Sequence, residues 1–372
     1  MAASFSAEGP AFNFAAGPAM LPAEVLARLR DELPGWQGGG MTVWEMPFDC
    51  AAFRDIQARA EAALRRLLDI PPHYRVLFMH GGASLQFSLL PLNLGCGGAG
   101  ADYVESGHWS RKAIAEARRY GPVNIAASAA SSGSSRLPRQ DEWRCDARAA
   151  YCHVTANETA DGLEYHWTPD TGAVPLVADM SSNLLSRPLD VTRYGLIYAG
   201  AQKNIGPAGL TLVIVREDLL GRPACAATPS VLDYRVQAAH GSRFNTPLTY
   251  AIYLAGLVFD WLEAGGGLAA MAAANARKSS RIYAAIDASA GFYRCAAAPA
   301  DRSRMNVCFA LPDASATAAF LALAGERRLF HLKGHGAVGG IRASLYNAMP
   351  EAGAAALGEF MTEFAAAYDA RR

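Results

Sequence analysis

Short apolar runs that end on small polar clusters recur along the first two-thirds of the chain. Arg75–Met79 runs into His80-Gly81-Gly82-Ala83-Ser84, Tyr103-Val104 into Gly107-His108-Trp109-Ser110, and Ala149–Val154 into Asn157-Glu158-Thr159. Val174–Ala178 ends on Asp179 and Ser181-Ser182-Asn183, and Leu196–Gly200 leads to Ala201-Gln202-Lys203. Runs of this length bounded by turn residues predict buried strands. Between them the apolar positions keep helical spacing. After an extended lead-in over 12–22, Pro22 opens a helix with Val25, Leu26, Leu29 and Leu33 on one side. A second helix over 53–68 aligns Ile56, Ala60, Ala63, Leu64 and Leu67, another pattern starts at Leu85, and a long apolar helix runs from 247 to 264. The tract 125–135, made of small residues, reads as a surface loop.

Strands alternating with helices predict an α/β fold with a mostly parallel sheet covered on both faces. In such sheets ligands collect beyond the carboxyl ends of the strands. Gly265-Gly266-Gly267 then breaks the pattern. The C-terminal third reads as helix (268–289), strands (292–295 and 305–311), helix (314–326), strands (329–333 and 339–345) and helix (351–369). The predicted organisation is a large α/β domain over 15–264 and a smaller α+β domain over 265–372 that takes in the segment 1–14.

Composition narrows the function classes. The 372 residues are 51% hydrophobic, and 34 Lys+Arg balance 34 Asp+Glu. Zero net charge without a basic patch argues against a nucleic-acid partner. No window reaches the apolar length of a membrane span, and Met1–Pro10 lacks the features of a signal peptide. The seven cysteines, at 50, 96, 145, 152, 225, 295 and 308, form no CxxC pair. Their scatter fits reduced thiols in a cytoplasm better than a disulfide framework or a zinc site, so no metal is expected. His331 and His335 flank a Lys-Gly pair that is poor helix, which makes a shared metal face unfavourable.

The candidate chemistry sits on the strand-to-helix turns. Lys203 lies between two apolar runs in a turn rich in Gly and Pro, where a surface charge is out of place. A desolvated amine loses its proton readily and attacks carbonyls. Taken alone, a loop lysine reaching solvent is the plainer reading. His80-Gly81-Gly82-Ala83-Ser84 has the strand–glycine–helix layout that presents backbone N–H groups to a phosphate, although two glycines are a weak signal. Pyridoxal phosphate needs an amine, a carboxylate for its pyridine nitrogen, an aromatic face and a phosphate cup. Lys203, Asp179, Trp109 and Ser84 supply one of each.

With these residues in place, the chain resembles the phosphoserine aminotransferases, which are fold-type I, class V pyridoxal-phosphate enzymes. The matching stretches include Phe12–Pro22, His80–Phe87, Asn157–Thr159, Ala178–Ser182, Tyr198–Leu210, Phe244–Pro247, Ser303–Val307 and Gly340–Pro350. The resemblance implies a role for each matching residue. Lys203 would bind the cofactor covalently and shuttle a proton, Asp179 would pair with the pyridinium nitrogen, and Trp109 would stack on the ring. Thr159 would face the ring's phenolic oxygen, and Ala83, Ser84 and Gln202 would hold the phosphate. Asn245 and Thr246 resemble residues lent to a neighbouring subunit, which implies a homodimer with shared active sites. Arg342 would clamp the substrate α-carboxylate, a task suited to a planar guanidinium. Cytoplasmic serine biosynthesis is the setting the resemblance implies.

One part of the family pattern is missing. The family's Ser-His-Arg run before the second helix is replaced, with Phe48 at the His position and Asp49 at the Arg position. A later Gly-His-Arg run reads Gly334-His335-Gly336. These basic residues bind the substrate phosphate and the side-chain carboxylate of glutamate in the family. An aspartate there repels a phosphate, and like-charge juxtaposition costs several kcal/mol. The expected activity is therefore an amino-group exchange between an amino acid and a 2-oxo acid, with an amino-acid partner that is neutral, apolar or cationic rather than phosphoserine. Two alternatives stand beside it. One is a phosphoserine:2-oxoglutarate aminotransferase whose phosphate site is rebuilt from Arg54, Arg243, Lys333 or His335. The other is a lyase on the same scaffold, because related class V enzymes cleave at the β-carbon with the same Lys and Asp.

Overall fold

A computed structural model of the chain describes residues 10–95 and 98–369. Residues 1–9, Cys96 and residues 370–372, for which the sequence carries expectations, lie outside them. The central element is a seven-stranded sheet. Across it the strands run Tyr74–His80, Leu210–Arg216, Leu196–Gly200, Leu176–Asp179, Cys152–Thr155, Ala101–Glu105 and Val123–Ser128. The five strands from Leu196–Gly200 to Val123–Ser128 pair in parallel. Leu210–Arg216 is antiparallel to both its neighbours. It comes after Leu196–Gly200 and a short turn, and a parallel return would need a crossover that Ala201–Gly209 is too short to make.

The tract expected as a surface loop begins instead as the edge strand Val123–Ser128. Its alanines carry little strand propensity. Pairing with Ala101–Glu105 and burial of Ala126 and Ala127 on the large core decide the outcome. The predicted strand 149–154 is observed as Cys152–Thr155, and Asn157–Glu158 forms a two-residue hairpin with Leu163–Glu164.

The helix Ala51–Leu68 starts where the Cys50 Sγ accepts the Phe53 N–H at 3.4 Å. It buries Phe53, Ile56, Ala60, Ala63 and Leu64 against the helix Thr249–Ala264. The two backbones approach closely at Gly256, where a Cβ would stand 3.1 Å from that of Ala60. The helix Ala23–Glu32 behaves differently. It buries Val25, whereas Leu26 and Leu33 stay 49% and 46% exposed, so part of the predicted apolar side has no cover within the chain. No single helix among the described residues is long and apolar enough to cross a membrane.

A separate core gathers Phe12 and Phe14 with side chains from residues 282 to 364. The strand Phe12–Asn13 pairs in parallel with Leu329–Phe330, which ties the lead-in to this second unit. Asn306–Phe309 pairs antiparallel with Ile341–Ser344. The strand predicted over 292–295 is reduced to one bridge between Arg294 and Ala310. Helices Ala314–Glu326 and Glu351–Asp369 match the sequence reading. Lys278 is buried here and donates to the carbonyls of Leu345 and Tyr346 at 2.9 and 2.8 Å, capping the turn after the strand that carries Arg342.

Phe320 is fully buried among Tyr293, Phe309, Phe360 and Phe364, with ring centroids 4.9 to 6.1 Å away. Phe320→Ala is expected to destabilise the protein by about 3–5 kcal/mol in urea unfolding, through lost transfer energy and an unfilled cavity.

Candidate active site

The parallel strands release their side chains at one end of the sheet. Asp179 ends its strand in register with Thr155 on one side and Tyr198 on the other. Around this point opens a cleft of ≈ 1040 Å³, including its solvent-filled mouth, lined by Gly81, Gly82, Ala83, Ser84, Trp109, Thr159, Asp179, Gln202, Lys203, His335 and Arg342 among others. Nine of the thirteen site residues expected from sequence are thus brought together. The other four are not. Asn245, Thr246 and Asp49 are exposed, and Phe48 packs half-buried against the large core. Asp49 immediately precedes Cys50, the residue that starts the helix Ala51–Leu68, and is not among the residues lining the cleft of its own chain.

Lys203 lies on the turn after Leu196–Gly200, half-buried at the cleft floor. Desolvation lowers its amine pKa, opposed by the Asp179 charge and reinforced by Arg342. The extended lead-in presses on this turn. Ala19 N–H donates to the Gln202 carbonyl at 3.0 Å, and a Cβ at Gly17 would stand 3.2 Å from that oxygen. The Asp179 carboxyl is raised by burial, and Lys203 and hydrogen bonds pull it back. Ser181 donates to its Oδ1 through both N–H, at 2.9 Å, and hydroxyl, at 2.6 Å. Beneath Asp179 lies a ring layer. His153 stacks on Tyr103 with centroids 4.8 Å apart, and its Nε2 is 2.8 Å from the Tyr198 hydroxyl. Burial brings the His153 imidazole down to about 3, so it is neutral at physiological pH.

Trp109 opens the helix His108–Ala117. Its Nε1–H donates to Thr159 Oγ1 at 2.8 Å, and Lys203 Nζ stands 5.6 Å from its ring centroid. Two carboxylates hold this helix start. Glu158 accepts from Trp109 N and Ser110 N at 2.8 and 2.9 Å, and Asp161 accepts from His108 N at 2.8 Å. Negative charge is favourable at a helix N-terminus. Complete burial, with Asp161 nearby, still pushes Glu158 up to about 7. Glycine is required at 107, where a Cβ would come within 2.5 Å of Asp161 Oδ2.

The opposite wall is an anion cradle. The helix Gly82–Leu94 starts from Gly81, which is left-handed and offers no side-chain cap, so the first N–H groups face the cleft. The Ser84 hydroxyl and the Gln202 amide make no hydrogen bond to other described residues, which leaves them available to a ligand. A Cβ at Gly81 would lie 2.4 Å from Leu85 Cδ2, so only glycine permits this turn.

Arg342, on the strand Ile341–Ser344, donates from Nη1 to the Thr159 carbonyl at 3.3 Å and lines the cleft. His335 packs on His108, with centroids 4.4 Å apart, and on Trp109, with centroids 5.9 Å apart. Burial lowers the pKa of both imidazoles. Gly336 adds no side chain, and a Cβ there would meet nothing within 4 Å. Arg54, Arg243 and Lys333 are not among the lining residues.

Sequence reasoning misses Thr155, Asn157, Ser182 and Glu158. Thr155 lines the cleft, and its Oγ1 is buried without a partner. Asn157 joins Ser182 Oγ at 2.7 Å to Asn306 Oδ1 at 2.8 Å. The run Asn157-Glu158-Thr159 stands out as a polar cluster, but only the fold shows that all three side chains turn inward.

The residues present fit pyridoxal phosphate. An amine with lowered pKa, a buried carboxylate, an indole face and an anion cradle surround one cleft. Comparison with known proteins agrees. The Aminotransferase class-V family model matches residues 11–357. A phosphoserine aminotransferase of Acidithiobacillus ferrooxidans is 55% identical over 354 residues, covering 95% of this chain and 98% of that protein. The one from Nitrosomonas europaea is 53% identical over 360 residues, with the same coverage. The solved phosphoserine aminotransferase of Bacillus circulans subsp. alkalophilus superposes with a TM-score of 0.94 at 43% identity, covering 96% of this chain and 99% of that one. A PLP-bound phosphoserine aminotransferase from Trichomonas vaginalis gives 0.91 at 40% identity, covering 95% and 99%.

The raised Glu158 carboxyl makes stability depend on pH. Its folded value of about 7 lies above the ordinary 4.5, so its contribution is complete below 4.5 and is lost as pH rises to about 7. Relative to Glu158→Gln, the wild type is expected to lose up to about 3 kcal/mol across that window, measured by urea unfolding at a series of pH values.

Proposed function

The chain belongs to the class-V aminotransferase family, and we propose that it exchanges an amino group between a 2-oxo acid and an amino acid whose side chain carries no phosphate. It is a pyridoxal-phosphate-dependent aminotransferase. One observation carries the substrate reading. Among the described residues of one copy, the basic side chains lining the cleft are Lys203, His335 and Arg342. The substrate α-carboxylate would occupy the Arg342 guanidinium, and the same copy offers a phosphate no second one. Phe48 and Asp49 support the same reading, because they stand where the resembled family carries His and Arg.

Pyridoxal phosphate supplies an electron sink for the bonds at the substrate Cα. The geometry supports the following roles for the chain's own residues. Lys203 Nζ, with its lowered pKa, would hold the cofactor and carry the proton taken from the substrate Cα. Asp179, oriented by Ser181, keeps a proton on the ring nitrogen. Trp109 covers one ring face. Thr159 Oγ1 already accepts from Trp109, so its own hydrogen is free to donate to the ring oxygen. The N–H groups of Ala83 and Ser84, with the Ser84 hydroxyl and Gln202, hold the phosphate. Arg342, anchored on the Thr159 carbonyl, receives the substrate α-carboxylate.

The working unit in this reading is a homodimer in the cytoplasm, with a large domain over 15–264 and a small domain over 265–372. Several exposed apolar side chains support a partner copy, including Leu26, Leu33, Met41, Trp44 and Phe244. Asn245 and Thr246 are exposed beside Phe244, which leaves them available to a neighbouring cleft in this reading. Free thiols at Cys50, Cys145, Cys152, Cys295 and Cys308 suit a reducing compartment. The second reading, transfer from phosphoserine to 2-oxoglutarate, is favoured by the 53–55% identity to phosphoserine aminotransferases.

Absorbance separates these readings. The purified enzyme is expected to be yellow, and Lys203→Ala to lose that band. Neutral or cationic amino acids should bleach the band as the amino group is transferred, whereas phosphoserine acts only at high concentration. Complete bleaching by low phosphoserine would overturn the substrate proposal. Release of ammonia and a 2-oxo acid without an acceptor would point to lyase chemistry instead. Phe48→His, Asp49→Arg and Gly336→Arg together should raise phosphoserine kcat/KM by about 100-fold or more, given roughly 1.5–3 kcal/mol per charged hydrogen bond.

A further inference from the structure

Outside the cleft, one cluster of side chains has no part in this chemistry. Asp102 is the second residue of the strand Ala101–Glu105, and Cys152 is the first of its parallel neighbour Cys152–Thr155. The two pair in register. Both therefore lie where the strands begin, at the end of the sheet opposite the cleft. Cys145, on the surface segment that leads into the second strand, closes the group. A carboxylate oxygen of Asp102 and the two Sγ atoms all lie within 4.8 Å of one another. No sequence spacing announces this, because the three residues meet only through strand pairing.

Asp102 is held by neutral donors among the described residues. The residue is fully buried, and its two oxygens accept from Asn124 Nδ2 at 2.7 Å and Asp146 N at 2.8 Å. Among the described residues it makes no ion pair. Buried charges are ordinarily paired or coordinated to metals. The carboxylate also takes a hydrogen bond from the Cys145 thiol, and its oxygens keep acceptor capacity beyond these bonds. Asn124 and the Asp146 amide hold the carboxylate as outer groups hold a metal ligand.

We propose that Asp102, Cys145 and Cys152 form a binding site for a divalent, sulfur-seeking cation of the zinc type, remote from the cofactor cleft. Zinc takes Cys sulfur at about 2.3 Å and carboxylate oxygen at about 2.0–2.2 Å in tetrahedral geometry, which the observed spacing reaches with small side-chain rotations. Two thiolates select against magnesium and calcium. On binding, each thiol gives its proton to solvent and forms a sulfur–metal bond, and the third ligand is the carboxylate. Two thiolates and one carboxylate against a double positive charge leave the site singly negative. Water takes the fourth position on the open side of Cys145. Such an ion would staple the Cys145 segment to the starts of two sheet strands.

The test uses the reduced holoenzyme titrated with zinc chloride against a chromophoric chelator. The wild type is expected to take up one more tight equivalent than Cys145→Ser, whose substitution is at the surface and is checked for folding by circular dichroism and cofactor absorbance. Asp102→Asn should weaken binding at least ~10-fold, since losing even an outer group costs about 10–100-fold. Cobalt(II) should give a sulfur-to-metal charge-transfer band in the wild type that Cys145→Ser lacks. Equal zinc uptake by wild type and Cys145→Ser would overturn the site. So would thiol counts showing Cys145 and Cys152 joined as a disulfide in freshly purified, unreduced protein.

Discussion

The cleft depends on parallel strand register. Side by side, parallel strands end at the same edge of the sheet, and the turn after each must start there. Thr155, Asp179 and the Tyr198–Lys203 turn are neighbours because Thr155 pairs with Asp179 and Asp179 with Tyr198. A one-residue slip would send every side chain of a strand to the other face. The buried apolar residues on both faces of these strands resist that slip, so the packing that holds the sheet also aims the polar groups.

Desolvation then gives those groups their chemistry. Burial lowers the Lys203 amine and raises the Asp179 carboxyl, and each opposes the shift of the other. Neither extreme is reached. A fully solvated lysine would be a poor nucleophile, and an isolated buried aspartate would lose its charge. Glu158 shows the same balance one layer out. Its carboxylate satisfies the N–H groups that start the Trp109 helix, at the expense of burying a charge. The position of the indole therefore rests on a polar network and not on apolar packing alone.

Several large apolar side chains have no cover within the chain. Leu26, Leu33, Met41, Trp44 and Phe244 are exposed, and Trp44 stacks on Tyr250 at a centroid distance of 3.9 Å. Phe48, Asp49, Asn245 and Thr246 belong to the same stretches of chain and stay out of their own cleft. Phe48 and Asp49, which depart from the pattern of the resembled family, do not line the cleft of one copy, whereas Gly336 follows the cleft-lining His335.

Much of the fold was legible in the sequence because period and turn chemistry are local. Leu196–Gly200, Ala314–Glu326 and Glu351–Asp369 matched their predicted bounds, and Lys203, Asp179, Trp109 and Ser84 stood out as residue types beyond strand ends, although the Lys203 turn leads to an antiparallel strand and not to the expected helix. The sequence also determined the cofactor chemistry, since amine, carboxylate, indole and glycine turn are each fixed by residue identity. Tertiary structure decided the rest. Val123–Ser128 became a strand only because a neighbour was there to pair with it. Glu158 and Thr155 became site residues only when the hairpin and the sheet turned them inward. Asp102, Cys145 and Cys152 met only across two strands. Burial, register and the approach of distant segments are properties of pairs of residues, and no single stretch of sequence carries them.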